Sequence, residues 1–209
     1  MKKFKLPKVY PITDRRLSGL SHAAQIERLI AGGATFIQLR EKHAAPQDFY
    51  REAEAALKIA KENGAKIIIN DRVDIALALK ADGVHLGQDD LPPVEARKIL
   101  GESAIIGIST HNLEQAIAAT KLPVDYIAVG AIFPTANKEK PEAIIGLENL
   151  KLIREAVHNF QLVAIGGITS ENARAVFESG ADSVAVIGAL VNAPDFIAQN
   201  TKNLINLLK

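Results

Sequence analysis

Short apolar segments rich in β-branched residues alternate along the chain with longer segments in which apolar residues recur at helical spacing. Eight of the short segments predict strands, at residues 9–13, 35–40, 66–70, 83–86, 105–109, 126–130, 162–166 and 183–187. Several are apolar throughout, as in Ile67-Ile68-Ile69, which is typical of strands covered on both faces. Strands that alternate with helices predict βα units and a parallel sheet.

The longer segments predict amphipathic helices. Residues 46–63 end at Asn63-Gly64, a favoured C-terminal cap, and carry one apolar stripe of Phe49, Ala53, Ala56, Leu57 and Ala60. A second stripe predicts the last helix, with Phe196, Ile197, Leu204, Ile205 and Leu208. Ser170 and Gly180 are predicted to open and close a further helix.

Eight βα units in 209 residues favour an α/β fold of the compact (β/α)8 TIM barrel type. No linker-like segment interrupts the alternation, so residues 1–209 are predicted to form a single barrel domain. An open doubly wound sheet is the alternative fold. The lack of a Gly-x-Gly-x-x-Gly turn after the first strand argues against that alternative.

Charge and composition narrow the class of partner. Lys and Arg number 25 against 24 for Asp and Glu, and aromatic residues are few, so we expect no nucleic-acid and no membrane partner. The absence of cysteine excludes disulfides and thiolate metal sites. We expect a cytoplasmic protein that binds small molecules, and self-association into a homo-oligomer stays open.

Polar residues follow the second predicted strand, at the end where barrel active sites lie. Gln38, Arg40 and Lys42 are spaced two apart and share one face. If that face is the barrel interior, two cations and an amide suit a di- or triphosphate. The alternative is a solvated loop in which Glu41 pairs with Lys42.

Two aspartates follow the third and fourth predicted strands. Because neighbouring strands lie about 4.8 Å apart, Asp71 and Asp90 can converge on one ion. Mg²⁺ takes one or two carboxylates together with substrate phosphate and water, so they form a plausible Mg²⁺ pair. The alternatives are a helix N-cap for Asp71 and a turn residue for Asp90.

The remaining strand ends carry weaker signals. Ser109 and Thr110 after the fifth strand commonly cap the next helix, and a lone histidine such as His111 is usually structural. Residues 131–146 form the longest irregular segment, which is either a binding loop or a tolerated insertion. Glycines that end strands seven and eight favour a second anion site. Two anion sites indicate two phosphorylated reactants.

Seven motifs at successive strand ends together point to one family. They are Tyr10-Pro11-Ile12-Thr13-Asp14, Gln38 to Lys42, Asn70-Asp71-Arg72, Gly83-Val84-His85-Leu86-Gly87-Gln88, Ser109-Thr110-His111, Phe133-Pro134-Thr135 and Ile165-Gly166-Gly167-Ile168. In order and spacing the set resembles the thiamine phosphate synthase family along essentially the whole chain. The resemblance implies a Mg²⁺-dependent transferase of thiamine biosynthesis. Such an enzyme joins hydroxymethylpyrimidine diphosphate to hydroxyethylthiazole phosphate and releases pyrophosphate.

The resemblance also implies roles for individual residues. The pyrimidine diphosphate would be bound by Gln38, Leu39, Arg40, Glu41, Lys42 and Asn70, and Mg²⁺ by Asp71 and Asp90. Ser109 would lie at the pyrimidine and the reacting carbon. The thiazole phosphate and pyrophosphate would meet Thr135, Ala136, Asn137 and Lys138, and the thiazole phosphate also Gly167, Ile187 and Gly188. The groups implied to be catalytic are Arg40, Lys42, Ser109 and Lys138.

Two positions depart from the family pattern, and three other functions stay open. Asn137 stands where the family mostly has Thr or Ser, and Gly188 where it mostly has Ser, so both departures fall on the thiazole side. The related thiazole tautomerase would use His111 as its acid/base group, but it needs neither metal nor diphosphate site. A non-catalytic barrel that binds thiazole phosphate is another alternative. A generic phosphate-binding barrel isomerase would not explain a metal pair.

Overall fold

The computed structural model describes residues 4–135 and 143–209, and within them eight parallel strands close into a barrel in chain order. The strands are β1 (Val9–Thr13), β2 (Phe36–Leu39), β3 (Lys66–Asn70), β4 (Gly83–Leu86), β5 (Ile105–Thr110), β6 (Tyr126–Val129), β7 (Leu162–Ile165) and β8 (Ser183–Val186). Closure is direct, because Val9 pairs with Val184 across β1 and β8. The predicted TIM barrel is therefore confirmed, and the doubly wound alternative is wrong.

Helices follow the strands and cover the barrel. They are α1 (Arg15–Ser18), α2 (His22–Ala31), α3 (Pro46–Glu62), α4 (Val73–Leu79), α5 (Pro93–Leu100), α6 (Leu113–Ala119), α7 (Gly146–Val157), α8 (Ala173–Glu178), α9 (Gly188–Val191) and α10 (Ile197–Leu207). A 3-10 turn, Pro194–Phe196, precedes α10. Nowhere in the described ranges is a helix both long and apolar enough to span a lipid bilayer.

Two helix predictions need correction. The helix expected to open at Ser170 begins only at Ala173, because Asn172 folds the preceding residues into a turn: its side chain accepts from the N–H of Thr169 and donates to the carbonyl of Gly167. Phe196 does not belong to the apolar stripe of the last helix. It lies in the 3-10 turn and is 61% exposed.

The strands bury both faces, as their apolar sequences predict. In β3, Ile67 and Ile69 pack outward against the helices, whereas Ile68 packs inward with Phe36 and Val163. The barrel interior is therefore a small core of its own inside the larger one. Because side chains alternate along each strand, the inward positions nearest the C-terminal strand ends determine what a ligand meets there.

Candidate functional site

A cavity of about 880 Å³ opens at the C-terminal ends of the strands. Its two sides differ in chemistry. The side formed by β2 to β5 is polar, with Gln38, Asn70, His85 and Ser109. The opposite side, formed by β6 to β8, is apolar, with Ala128, Val163, Ile165, Ala185 and Ile187. Such a cavity accommodates a ring on one side while polar groups fix its orientation on the other.

The predicted cationic cluster lines this cavity. Arg40 donates from Nη1 to Oδ2 of Asp14 at 2.7 Å, and its side chain is 18% exposed. Asp14 in turn caps α1, accepting from the N–H groups of Arg16 and Leu17. Lys42 forms an ion pair with Asp71. The alternative in which Lys42 pairs with Glu41 is therefore wrong.

Leu39 and Glu41 occupy the alternate positions of this segment, and their side chains are directed away from the cavity. Leu39 is fully buried in the core between barrel and helices. The Glu41 carboxylate accepts from the N–H groups of His43 and Ala44 at 2.9 and 3.2 Å. Burial alone would raise its pKa, but these donors and the nearby His22 and Arg15 lower it overall. Only the backbone groups of Leu39 and Glu41 remain for the predicted substrate contacts.

Asp71 and Asp90 are brought together at the cavity. Asp71 adopts a left-handed backbone conformation, with φ of 61°, directly after β3. Asp90 accepts from the N–H of Gly87 at 2.6 Å. Burial, a hydrogen bond with Asp71 and repulsion from its charge raise the pKa of the Asp90 carboxyl, although Gly87 and Lys42 oppose the shift. A cation shared between the two carboxylates would relieve that repulsion.

The alternatives weighed for the two aspartates fare differently. Asp71 does not cap α4, because the residue before that helix is Arg72, which makes no side-chain cap. Asp90 does hold a turn, through Gly87, and lies at the cavity as well. Within the described residues, no group of three acidic or histidine side chains forms a complete metal cage. A bound ion would need oxygen ligands from substrate or water.

Asn70 adds an unusual donor to the polar side. It is 6% exposed, and among the described residues its Nδ2 is buried without a hydrogen-bond partner. Buried amide groups in folded proteins nearly always have a partner, so an exception at a cavity indicates one supplied by a ligand. Asn70 directly precedes Asp71 and lines the same cavity.

Ser109 and His111 also line the cavity. The capping alternative is wrong for both Ser109 and Thr110, because α6 is capped by Asn112, whose Oδ1 accepts from Gln115. Ser109 Oγ lies 2.9 Å from Nε2 of His85. Nδ1 of His111 lies 3.0 Å from the carbonyl oxygen of Gly130.

At the end of the cavity away from the two aspartates, the wall includes the backbone of two glycines that follow β7. Gly166 and Gly167 both have positive φ, 103° and 64°. A Cβ at Gly167 would lie 2.6 Å from the carbonyl oxygen of Pro134 and 2.7 Å from Cβ of Phe133. Only glycine therefore fits this close approach.

Of the remaining residues predicted to contact substrate, some belong to the part of the chain that the structure describes and some do not. Gly167, Ile187 and Gly188 line the cavity together with Thr135. Ala136, Asn137 and Lys138 fall on residues 136–142, which lie outside the described residues. Residues predicted to bind the diphosphate and residues predicted to bind the thiazole phosphate thus line the same cavity.

Three buried polar residues in the barrel were given no role by sequence reasoning. Tyr10, His85 and Tyr126 are each at most 7% exposed, and their side chains are hydrogen-bonded to one another in series. The signal that could have found them is the alternation within strands. It places Tyr10 and Tyr126 on the inward face, where a hydroxyl needs a partner.

Comparisons with known proteins agree on one family. Residues 9–190 match the family model described as thiamine monophosphate synthase. The thiamine-phosphate synthase of Chloroflexus aurantiacus is 46% identical over 91% of this chain and 88% of that relative. That of Clostridium novyi is 45% identical over 96% of this chain and 98% of that relative. The solved thiamine phosphate pyrophosphorylase of Pyrococcus furiosus superposes with a TM-score of 0.86 at 40% identity, covering 96% and 95% of the two chains.

Proposed function

The chain belongs to the thiamine monophosphate synthase family, and from that premise we propose that it is a Mg²⁺-dependent transferase that makes thiamine phosphate. The substrates are an aminopyrimidine carrying a methylene diphosphate and hydroxyethylthiazole phosphate, and the second product is pyrophosphate. The observation that carries the proposal is one cavity lined by cations and two neighbouring carboxylates at one end and by the backbone of glycines at the other. We also propose a cytoplasmic location, because both substrates are anions that do not cross a bilayer unaided.

The diphosphate would lie at the ends of β2 and β3. Arg40 and Lys42 supply positive charge there, and Asn70 supplies a buried donor that has no partner among the described residues. Arg40 is pre-oriented by Asp14, so little side-chain entropy is lost when it meets a phosphate oxygen. Lys42, which contacts Asp71 in the free protein, would also reach the diphosphate.

Mg²⁺ would be held by Asp71 and Asp90. The raised pKa of Asp90 reflects burial and the neighbouring Asp71 carboxylate, an arrangement that disfavours two negative charges and favours a shared cation. The bound ion would neutralise charge on the departing pyrophosphate. Asp71 and Asp90 thus have a use in a diphosphate reaction, whereas a tautomerase would have none for them.

The thiazole phosphate would lie at the ends of β7 and β8, against backbone N–H groups of Gly167 and Gly188. Gly188 departs from the usual family residue, but it opens α9 and presents its N–H where a serine would. Thr135 lines the same part of the cavity. Lys138 is proposed to reach the pyrophosphate. This arrangement would hold the thiazole nitrogen in line with the pyrimidine methylene carbon.

The chemistry asks mainly for positioning and charge stabilisation. The bond from the methylene carbon to the diphosphate oxygen breaks, and the thiazole nitrogen forms a new bond to that carbon through its own lone pair. No general base is needed for this step. The contribution of Arg40, Lys42 and Ser109 is therefore to hold the reactants and to stabilise the developing charge.

We test the proposal by measuring thiamine phosphate and pyrophosphate formed by the purified protein from both substrates, with Mg²⁺ or with chelator. Asp71→Asn should lower kcat/KM at least ~100-fold, because loss of one transition-state charge contact is worth about 3 kcal/mol. Asp74→Asn is the matched control, since Asp74 pairs with Arg72 and is 65% exposed. Metal-independent turnover, or equal activity of the two variants, would refute the metal assignment. No product under any condition would refute the synthase function.

A further inference from the structure

A continuous series of hydrogen bonds crosses the barrel at the floor of the cavity, and we call it the buried relay. Nε2 of Gln38 donates to the hydroxyl of Tyr10 at 2.9 Å. The hydroxyls of Tyr10 and Tyr126 lie 2.9 Å apart. Tyr126 Oη is 2.9 Å from Nδ1 of His85, and Nε2 of His85 is 2.9 Å from Oγ of Ser109. The buried relay joins Gln38, Tyr10, Tyr126, His85 and Ser109, of which Gln38 and Ser109 are proposed to meet substrate.

The donor and the acceptor of every hydrogen bond in the buried relay follow from its first residue, Gln38. An amide nitrogen can only donate, so the Tyr10 hydroxyl accepts from Gln38 and has one proton left to give. Its partner for that proton is Tyr126, which then gives its own proton to Nδ1 of His85. A neutral imidazole that accepts at Nδ1 carries its proton on Nε2. His85 therefore donates to Ser109.

The opposite direction is disfavoured by burial. If Tyr126 donated to Tyr10, the Tyr10 proton would have no acceptor among the described residues, on a side chain that is 1% exposed. Folded proteins avoid buried hydroxyl protons of that kind. Burial is also the main reason that the pKa values of both phenols are raised, so each hydroxyl stays neutral and keeps one proton.

Neighbouring residues leave room for the rings of the buried relay. Gly107 makes room for the Tyr126 ring, because a Cβ at that position would lie 2.0 Å from Cζ of the tyrosine. The Tyr126 and His85 rings lie with planes 19° apart and centroids separated by 5.5 Å. The His85 ring thus lies beside the Tyr126 ring, with Nδ1 toward Tyr126 and Nε2 toward Ser109.

We propose that the buried relay fixes the Nε2-protonated tautomer of His85, so that Ser109 accepts from the histidine and directs its own hydroxyl proton to an acceptor atom of the pyrimidine substrate. This proposal rests on the proposed function for the identity of that substrate. Tyr10, Tyr126 and His85 are positioning residues in it, since they act through Ser109. A ring nitrogen of the aminopyrimidine is the class of acceptor that a fixed hydroxyl donor would recognise.

The test reads the tautomer of His85 directly. In ¹⁵N-histidine-labelled protein without substrate, two-bond ¹H–¹⁵N correlation spectra distinguish a protonated Nε2 from a protonated Nδ1, and the signal that vanishes in His85→Gln assigns the residue. We expect the Nε2-protonated form near neutral pH. Observation of the Nδ1-protonated form would overturn the proposal, because Ser109 would then have to donate to the histidine.

Two tyrosine variants extend the test. Tyr126→Phe removes the donor to His85 and keeps the ring, so we expect a mixed tautomer and a kcat/KM about tenfold lower, the loss of roughly one hydrogen bond. Tyr50→Phe is the matched control, because its hydroxyl bonds exposed Glu54, and it should change neither readout. An unchanged tautomer and unchanged kcat/KM in Tyr126→Phe would overturn the proposal. If that variant does not fold, the wild-type tautomer alone decides.

This design separates the two proposals. The tautomer is read in the free protein, so an Nε2-protonated His85 in a protein that makes no thiamine phosphate would refute the proposed function and leave the hydrogen-bond direction standing. Active protein with an Nδ1-protonated His85 would refute the buried relay and leave the proposed function standing.

Discussion

His22 is a fully buried histidine beneath the substrate-binding segment. Its Nδ1 lies 2.7 Å from the Thr13 hydroxyl, which also accepts from the N–H of Arg40. Its Nε2 lies 3.6 Å from the Glu41 carboxylate, beyond hydrogen-bond distance. Burial lowers the pKa of His22; Arg15 adds to the shift, whereas Glu41 and Glu52 oppose it. His22 therefore stays neutral in the folded protein at pH values where the unfolded chain protonates it.

That lowered pKa predicts how the free energy of unfolding depends on pH. Between the folded pKa and about 6.5, the unfolded state binds more protons than the folded state. The contribution of His22 is thus fully favourable above about pH 6.5 and is lost as the pH falls through this window. We expect urea denaturation to show a free energy of unfolding that falls from pH 7 toward pH 5.5.

The His22→Asn variant should show a flatter pH dependence over the same range, since Asn does not titrate. His158→Asn is the control. His158 is exposed and lies beyond the end of α7, away from His22. This control should keep the wild-type slope. Identical slopes in all three proteins would contradict the assignment to His22.

At the scale of single residues, the alternation of side chains along β2 was enough to predict part of the site. The spacing of Gln38, Arg40 and Lys42 predicted one face, and all three line the cavity. The alternative pairing of Glu41 with Lys42 was wrong, because the Glu41 carboxylate instead accepts from two backbone N–H groups of the loop that follows β2. The local sequence pattern does not predict how the loop after β2 folds onto this carboxylate.

At the scale of secondary structure, the strands were predicted best. Each predicted strand agrees with the observed one to within a residue at either end, because both faces are buried and the apolar run therefore marks the whole strand. Helix ends were predicted less well. The start of α8 depends on Asn172, whose side chain bonds the backbone of Thr169 and Gly167 before it. Sequence rules favoured Ser170 because serine is a common N-cap.

The buried relay shows the limit of element-level prediction. Its members lie on β1, β2, β4, β5 and β6, so no single strand carries the pattern. Register between strands brings them together: Ser109 pairs with Ala128, and His85 with Gly107. The network can therefore be recognised only from the closed barrel. In the sequence, each of its residues is a single polar position within an apolar strand.

At the scale of the whole molecule, one end of the barrel carries the cavity, and the other end carries contacts that stabilise the fold. At the end opposite the cavity, an aspartate precedes each of β4, β6 and β8 and accepts from a backbone N–H of the preceding strand, at 2.8 to 2.9 Å. Each also pairs with a cation, and the three aspartates are Asp82, Asp125 and Asp182. These contacts tie neighbouring strands together where no substrate binds.

We therefore predict that Asp182→Ala lowers the free energy of unfolding by about 2 kcal/mol, the usual cost of losing hydrogen bonds to a charged group. The N–H of Leu162 would lose its acceptor, and so would Nη2 of Arg154, whose other guanidinium nitrogens keep their carbonyl partners. The value of kcat/KM should not change. Glu148→Ala is the control, because its pairing with Lys151 is exposed and should contribute under about 0.5 kcal/mol. A loss of activity without loss of stability would contradict this division.

The central claim is that one cavity holds both phosphorylated groups at opposite ends. The measurement that tests it most directly is a crystal structure of the protein with thiamine phosphate, pyrophosphate and Mn²⁺ in place of Mg²⁺, with the metal located by its anomalous signal. We predict pyrophosphate at Arg40, Lys42 and Asn70, the metal between Asp71 and Asp90, and the thiamine phosphate group at Gly167 and Gly188. Pyrophosphate bound at the glycines, or a metal away from both aspartates, would contradict the account.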